Sequence, residues 1–227
     1  SDAKEAALGR KIARRVREEL PAVADEALQQ KVRSIGERIV AVCDRRDLVY
    51  AFEVVQEEDI NAFSLPGGYV FINEGLVKNV GSDDELAGVI AHEVAHITAR
   101  HAVKRYESNL GAQLAQLATV AARQGAAARG LSVALQAAQL AHSRQAELEA
   151  DRLAVKYMTA AGFDPKAMLT FLEKLREADR DTFRYLPRGV TRPHYALTHP
   201  YVPQRLRAVK EALFGVADYI DYLNTPE

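Results

Sequence analysis

Apolar residues recur at helical spacing through the first forty residues. Leu8, Ile12 and Val16 lie four residues apart. A second stripe follows Pro21 and contains Leu28, Val32, Ile35 and Ile39. Apolar residues at this spacing share one face of a helix. The pattern therefore predicts two amphipathic helices within residues 1–45, broken at Pro21, that pack on a core.

Residues 48–72 have a different pattern. The run 48–55 is rich in β-branched and aromatic residues, and a second such run, 68–72, follows the turn signal Pro66-Gly67-Gly68. Short runs of this composition that are separated by glycine and proline are typical of strands. This segment is predicted to form a small sheet of two or three strands with a glycine turn.

A long buried helix is predicted next. Ser82 and Glu85 have the spacing of a capping box. The residues from Leu86 to Ala99 are apolar on every side of a helix, apart from His92, Glu93, His96 and Thr98. A helix that is apolar all round is normally buried. Its polar residues therefore need partners inside the protein.

The remainder of the chain, within residues 82–227, is predicted to be mainly helical. Helices are expected at about 108–126, 130–160, 165–178 and 203–214. Residues 179–200 contain three prolines and no clear period, and a connection of this length is often functional.

The fold class is α+β and mostly helical, and residues 1–227 are expected to form a single domain. The segment 108–142 has no predicted ligand role; a helical hairpin that completes the core is favoured over a cleft cover, a membrane-facing surface or a self-association surface.

Composition excludes some classes of protein. The 227 residues include 30 basic and 31 acidic side chains, without the basic excess that nucleic-acid binders usually show. No segment reaches the roughly 18 uninterrupted apolar residues of a membrane span. The start, Ser1-Asp2-Ala3-Lys4, resembles a processed or truncated end. It is consistent with a removed signal peptide or anchor, and through such a segment with a position near a membrane.

The candidate chemistry lies in the buried helix. His92 and His96 are one turn apart on one face, with Glu93 between them. Two histidines at this spacing bind one zinc ion, and the glutamate is placed as a general base. The alternative is a pair of hydrogen-bonded core histidines. That alternative must explain three ionisable groups on a buried helix, where unpaired polar groups are costly and a metal satisfies them together.

A catalytic zinc site needs a third protein ligand. The candidates are His101, His142, Glu147, Glu149, Asp151, His194 and His199. Glu147 and Asp151 share a helical stripe with the apolar Ala154 and Met158, whereas Glu149 lies on the opposite, solvent-like side. Glu147 is therefore predicted as the third ligand, and Asp151 as the carboxylate that holds a ligand histidine. The alternative is a surface helix that makes salt bridges.

Four pieces of the chain, in order, carry a resemblance to a known family. They are residues 61–68 (NAFSLPGG), 92–101 (HEVAHITARH), 143–151 (SRQAELEAD) and Thr198-His199-Pro200 with Arg205. Together they resemble the zinc metallopeptidases of family M48, especially its soluble, BepA-like branch, over residues 5–212. Ala95 stands where many relatives have glycine, and Ser64 where many have alanine.

The resemblance implies a zincin-like (gluzincin) metallopeptidase domain with the small sheet beside the zinc helix. It assigns one Zn²⁺ per chain to His92, His96 and Glu147. Glu93 becomes the general base for a water that the zinc activates, and Asp151 the supporting carboxylate.

The C-terminal motif adds two residues by resemblance. His199 and Arg205 are implied near the metal as oxyanion stabilisers. In some relatives the histidine of this motif reaches the zinc and holds the enzyme shut. From the residues alone, His199 is equally well interpreted as a turn residue before Pro200.

An extended substrate needs a strand edge for pairing. The strand at Asn61, Ala62 and Phe63, or the one at 68–72 that begins with Gly68, is expected to supply it; an ordinary hairpin turn at 66–68 is the alternative.

These features predict a zinc-dependent endopeptidase that hydrolyses peptide bonds in unfolded or damaged proteins. The resemblance implies polypeptide substrates, a role in protein quality control, and a periplasmic or membrane-associated location facing the periplasm. One alternative is a zinc-containing chaperone or scaffold whose cleft His199 holds shut. Another is a prenyl-protein endopeptidase, which the lack of membrane spans disfavours.

Overall fold

The computed structural model describes residues 2–105, 142–185 and 198–215. The helices are α1 (Asp2–Glu19), α2 (Glu26–Val40), α3 (Glu74–Asn79), α4 (Asp83–Thr98), α5 (Arg144–Ala160), α6 (Ala167–Tyr185) and α7 (Val202–Phe214). The strands are β1 (Ala51–Val55), β2 (Ala62–Leu65) and β3 (Tyr69–Asn73). The described residues confirm a mostly helical α+β fold with a small sheet.

The first two helices are separated where Pro21 predicts a break. The Asp25 side chain caps α2, where it accepts a hydrogen bond from the backbone N–H of Leu28 at 3.0 Å. The capping residue of α4 is Ser82, whose hydroxyl accepts from the N–H of Glu85 at 3.1 Å. The Glu85 carboxylate accepts from the Gly81 N–H at 2.7 Å. These side chains satisfy N–H groups that have no partner within the helix.

The sheet has the strand order β1-β3-β2. β1 and β3 are parallel, with Val54 opposite Ile72, while β2 and β3 form an antiparallel hairpin. Gly67 and Gly68 in the hairpin turn have φ angles of 81° and 100°. Both φ angles are positive, and residues other than glycine rarely adopt such backbone angles. The glycine turn is therefore confirmed.

The strand order corrects one of the two predicted substrate strands. β3 lies between β1 and β2, so its backbone is paired on both sides. The carbonyl of Gly68 accepts a hydrogen bond from the Ala51 N–H at 2.9 Å. Residues 68–72 therefore offer no free edge to a substrate, and the prediction for Gly68 is wrong. Sequence runs identify strands, but strand order depends on the packing of distant segments.

α1 covers the outer face of the sheet. Its residues Ala13, Val16 and Leu20 pack with a second, smaller apolar cluster from the strands, made of Val55, Phe63, Leu65 and Phe71. The buried Glu5 joins the start of α1 to the rest of the protein by ion pairs, because its carboxylate lies 3.0 Å from Arg45 and 3.1 Å from Arg100. The opposite face of the sheet packs on the main core, so the strands alternate between two apolar environments.

α4 runs through the main core. Every residue from Glu85 to Ile97 is buried, which confirms the prediction from its all-round apolar pattern. α5 packs along α4, and α7 packs against α5 and α6. This arrangement brings the polar residues of α4 against α5 and the segment that precedes α7.

Two predicted helices have different bounds. The helix predicted at 130–160 begins at Arg144 in the described residues, because the Ser143 side chain caps it by accepting from the Ala146 N–H at 3.2 Å. The helix predicted at 165–178 continues to Tyr185, since no helix-breaking residue occurs before Pro187. The prediction for 203–214 agrees with α7. The predictions for 106–141 and for 186–197 lie outside the described residues.

Within the residues that the structure describes, none of the helices has the length and apolar character needed to cross a bilayer.

Candidate metal centre

Four buried side chains, His92, His96, Glu147 and His199, form a cluster, and two of them lie on α4. His92 and His96 are 1% and 2% exposed, and their Nε2 atoms are 2.9 Å apart. The rings meet edge to face, with centroids 4.6 Å apart. One helical turn between the residues produces this convergence, as the sequence predicts.

The carboxylate of Glu147 enters from α5 and is fully buried. Its Oε2 atom lies 3.4 Å from His92 Nε2, and its Oε1 atom lies 3.4 Å from His96 Nε2. The tight packing of α5 along α4 brings this side chain to the two rings. Of the candidate third ligands in the described residues, Glu147 is the one placed between both histidines.

His199 approaches from the segment before α7. Its Nδ1 atom is 3.3 Å from His92 Nε2 and 3.3 Å from Glu147 Oε1. Tyr201, with a left-handed φ of 71°, precedes α7 and turns the chain next to His199. The ligand-type atoms of His92, His96, Glu147 and His199 all lie within 4.8 Å of one another.

These spacings fit a metal ion. In a tetrahedral site with ligand bonds of about 2.0–2.1 Å, neighbouring ligand atoms are about 3.3 Å apart. Five contacts among the four side chains measure 2.9–3.4 Å, and the sixth pair, His96 and His199, lies within the 4.8 Å that encloses all four ligand-type atoms. Glu147 Oε2 is 3.2 Å from Arg205 Nη1 but makes no hydrogen bond of acceptable geometry within the described residues. A cation at the common point satisfies this oxygen and the lone pairs of the crowded ring nitrogens together.

Asp151 and Arg205 lie behind His92. Asp151 Oδ1 is 2.9 Å from His92 Nδ1, on the side of the ring away from the cluster. Arg205 donates from Nε and Nη2 to the two oxygens of Asp151, at 2.9 and 2.8 Å. A carboxylate on Nδ1 leaves Nε2 available to a metal. The structure thus brings Asp151 to His92, one of the two histidines of α4.

Arg205 also faces the other site residues. It is 1% exposed, and Nη1 donates to the His199 carbonyl at 3.4 Å. Its guanidinium is therefore directed toward side chains and backbone that support the cluster. The structure places Arg205 beside His92 and Glu147 and not at an open surface.

Opposite charges hold the buried acids in ionised form. Despite burial, His199 and Arg205 keep the pKa of Glu147 well below its usual range. Arg205 and His92 likewise lower the pKa of Asp151 to about 2 against the effect of burial. Burial lowers the pKa of His96 well below its usual value, so this ring is neutral and able to bind a cation.

Glu93 lies next to the four converging atoms and is fully buried. One of its oxygens is 3.3 Å from His199 Nε2, yet neither oxygen has a hydrogen bond of acceptable geometry in the described part of the chain. A buried carboxylate without donors is costly, so it is retained where it has a chemical task. The position suits a group that accepts a proton close to the cluster.

Two further histidines surround His96. His101 Nδ1 is 2.8 Å from His96 Nδ1, and the ring of His142 stacks on that of His96 with centroids 3.9 Å apart. His101 Nε2 is 3.3 Å from Glu149 Oε2. The sequence indicated both histidines only as possible third ligands, and neither belongs to the converging set. The contact of His101 depends on how α4 ends, and that of His142 on the segment before α5; spacing along one helix predicts neither.

β2 packs against α4 and lies beside His96. Ser64 and Leu65 line a small cavity together with His96 and His142. At the start of the strand, the fully buried Asn61 accepts a hydrogen bond from the Thr198 hydroxyl at 3.2 Å. The predicted substrate residues Ala62 and Phe63 are buried in β2, an edge strand of the sheet.

Comparison with known proteins agrees with this geometry. The model of peptidase family M48 matches residues 26–213. The chain is 34% identical over 213 residues to the beta-barrel assembly-enhancing protease of Yersinia pestis, an alignment that covers 89% of this chain and 42% of the relative. It is 33% identical over 203 residues to the protein of that name in Escherichia coli, which covers 85% of this chain and 40% of the relative.

A eukaryotic relative matches as well. The mitochondrial metalloendopeptidase OMA1 of Schizosaccharomyces pombe is 33% identical over 193 residues, covering 80% of this chain and 52% of the relative. The chain thus spans about two fifths to one half of the length of these relatives.

Proposed function

Because the chain belongs to peptidase family M48, we propose that it is a zinc-dependent endopeptidase that hydrolyses peptide bonds in unfolded or damaged proteins. One observation carries the proposal: His92, His96 and Glu147 converge on one point, with His199 completing four ligand atoms and Glu93 beside them. Nitrogen and carboxylate donors at tetrahedral spacing suit zinc.

In this proposal Glu93 is the general base. When bound, zinc acts as a Lewis acid that brings the pKa of a water down to about 7. The Glu93 carboxylate accepts the proton as that water attacks the scissile carbonyl, and it then returns the proton to the leaving amine. Glu93 is suited to this task because its oxygens have no competing donor of good geometry in the described residues.

The remaining buried groups orient the ligands. Asp151 fixes the tautomer of His92 by accepting from Nδ1, and Arg205 holds Asp151 through two hydrogen bonds. We assign Arg205 its oxyanion role through charge at short range, since its donors already face Asp151 and the His199 carbonyl. Of the two proposed oxyanion stabilisers, Arg205 and His199, His199 is the one close to both Glu93 and the proposed ligand Glu147.

The substrate is proposed to lie along β2. It is an edge strand, and its residues Ser64 and Leu65 share a cavity with His96. An extended peptide that pairs with the strand from Asn61 to Phe63 brings a scissile bond close to the cluster. Backbone pairing of this kind is tolerant of side-chain identity, which suits unfolded segments as substrates.

The test is metal analysis combined with a proteolysis assay. Purified protein is expected to contain about one zinc and to cleave casein, an unfolded substrate. Glu93→Gln is expected to keep the zinc and to lose cleavage by at least about 100-fold, since general base catalysis contributes that much. The control is Glu173→Gln on α6, whose side chain is 43% exposed and lies 3.9 Å from Lys210. Equal cleavage by wild type and Glu93→Gln would refute the proposal.

The second candidate is a zinc-containing chaperone or scaffold with little proteolytic activity. It is favoured by His199, because a fourth protein ligand occupies the position that a catalytic zinc site keeps open. His199→Ala separates the two functions. A peptidase cleaves casein in at least one of the two forms, wild type or His199→Ala, whereas a scaffold retains zinc and cleaves nothing in either form.

The location in the periplasm, and any contact with a membrane, are proposed from the family resemblance. Bacterial relatives bear the name beta-barrel assembly-enhancing protease, while OMA1 relatives are named as mitochondrial. Fractionation of cells that express the full-length protein checks the compartment.

A further inference from the structure

We propose that His101 is a positioning residue for the metal ligand His96 and that Glu149 in turn holds His101. We call these three side chains the His96–His101–Glu149 relay. His96 Nδ1 is 2.8 Å from His101 Nδ1, and His101 Nε2 is 3.3 Å from Glu149 Oε2. The inference rests on the proposed role of His96 as a ligand and adds the groups that orient it.

The hydrogen-bonding direction follows from the chemistry of imidazole. His96 directs Nε2 toward the cluster, so its proton is on Nδ1. A neutral imidazole has one donor and one acceptor nitrogen. His96 Nδ1–H therefore donates to Nδ1 of His101, and His101 donates from Nε2 to the Glu149 carboxylate. Each nitrogen of the relay therefore either donates or accepts one hydrogen bond. Because Glu149 can only accept, it fixes the tautomer of His101 and, through His101, that of His96.

The backbone explains how residue 101 reaches residue 96. On a continuous helix, the side chain five positions later points to another face. α4 ends at Thr98, and Arg100 adopts a left-handed φ of 58°. Arg100 is held there by Asp2 at 3.2 Å and Glu5 at 3.1 Å. The chain therefore turns after α4, and the His101 ring lies 4.9 Å from that of His96.

The two ligand histidines of α4 are thus supported differently. His92 contacts the fully buried carboxylate of Asp151 directly. On its Nδ1 side, away from Glu147, His96 contacts the His101 ring, which in turn contacts Glu149, whose side chain is 49% exposed. Glu149 was expected on the solvent-like side of α5, and it does lie at the surface. Its contact with His101 gives this surface carboxylate a connection to the cluster.

His142 supplies the matched control. It contacts the same ligand ring as His101 does, but by stacking, at a centroid distance of 3.9 Å and an interplanar angle of 27°. Phenylalanine preserves ring stacking and removes hydrogen bonding. His101→Phe and His142→Phe therefore separate orientation by a hydrogen bond from packing around His96.

The experiment measures zinc affinity by competition with a chelator and the absorption spectrum of the Co²⁺-substituted protein. His101→Phe is expected to weaken zinc binding about 10–100-fold, as loss of an outer hydrogen bond to a ligand does. It is also expected to shift the Co²⁺ bands. His101→Asn is expected to restore most of the affinity, because its Oδ1 can accept from His96. His142→Phe is expected to bind zinc like wild type.

Glu149→Ala is expected to weaken zinc binding by less than His101→Phe, with Glu173→Ala, of similar exposure, as its unaffected control. If circular dichroism shows that His101→Phe does not fold, the zinc affinities of His101→Asn and Glu149→Ala provide the test. Wild-type affinity and an unchanged Co²⁺ spectrum in His101→Phe would overturn the relay alone. An equal loss in His142→Phe, or no recovery in His101→Asn, would overturn it too. A wild-type protein without zinc affinity would overturn both the relay and the proposed function.

Discussion

Asp151 and Arg205 form a two-point contact in the interior, with Arg205 Nε 2.9 Å from Oδ2 and Nη2 2.8 Å from Oδ1. Neither residue is more than 1% exposed. Paired hydrogen bonds between a guanidinium and a carboxylate fix both position and orientation. Because Asp151 is on α5 and Arg205 on α7, the contact joins two helices at the point where His92 also meets Asp151.

Replacing Asp151 is therefore expected to remove the carboxylate that accepts two hydrogen bonds from the buried Arg205. Asp151→Asn should destabilise the metal-free protein by about 3–5 kcal/mol. The measurement is urea unfolding followed by circular dichroism. Asp44→Asn is the matched control, since Asp44 is 50% exposed and bonds Lys156 and Tyr157. It should lose less than about 1 kcal/mol. Equal losses in the two variants would contradict the assignment.

Glu147→Ala is expected to weaken zinc binding by about 100-fold or more, because it removes a ligand and not merely a supporting group. Glu173→Ala on α6 removes the same kind of charge from a side chain that is 43% exposed, and should bind zinc like wild type. Chelator competition measures both affinities. Matched affinities in the two variants would show that Glu147 is not a ligand.

Removal of the metal is expected to lower stability, because the proposed zinc would bind the folded chain and join α4, α5 and the segment before α7. At a zinc concentration about 100 times the dissociation constant, the stabilisation is about 2.7 kcal/mol. For a domain of this size, that corresponds to a fall in Tm of about 5–10 °C with EDTA. Differential scanning fluorimetry measures it. In Glu147→Ala, EDTA should change Tm by much less.

Gly9→Ala tests how closely α1 packs against the hairpin turn between β2 and β3. A Cβ at Gly9 would lie 1.8 Å from the carbonyl oxygen of Pro66, a backbone atom that cannot rotate away. The helix must shift, and the expected net loss is about 1–2 kcal/mol even though alanine favours helix. Urea unfolding measures it. Arg10→Ala, at the exposed neighbouring position, should be within about 0.5 kcal/mol of wild type.

The parts of the site that the sequence predicts depend on local spacing. His92 and His96 meet because they are four residues apart on one helix, and Glu147 and Asp151 share a face for the same reason. An all-round apolar pattern likewise predicts the burial of α4. Each of these inferences needs only the geometry of a single helix. They describe which residues can act together within an element.

The parts that the sequence does not predict depend on contacts between distant segments. The contact between His101 and Glu149 needs both the packing of α5 on α4 and the left-handed Arg100, at a position where glycine would have been the usual signal. The central place of β3 follows from pairing with β1 across the sheet. Neither property is encoded in a short run of residues.

The position of α1 has a consequence for any shortened form of the protein. The family match begins at residue 26, after α1, yet this helix covers the face of the sheet that carries Phe63, Leu65 and Phe71. A chain trimmed to the matched residues would present these side chains to water as one apolar surface. Such surfaces promote aggregation. A preparation that keeps residues 2–19 is therefore expected to aggregate less than one that begins at residue 26.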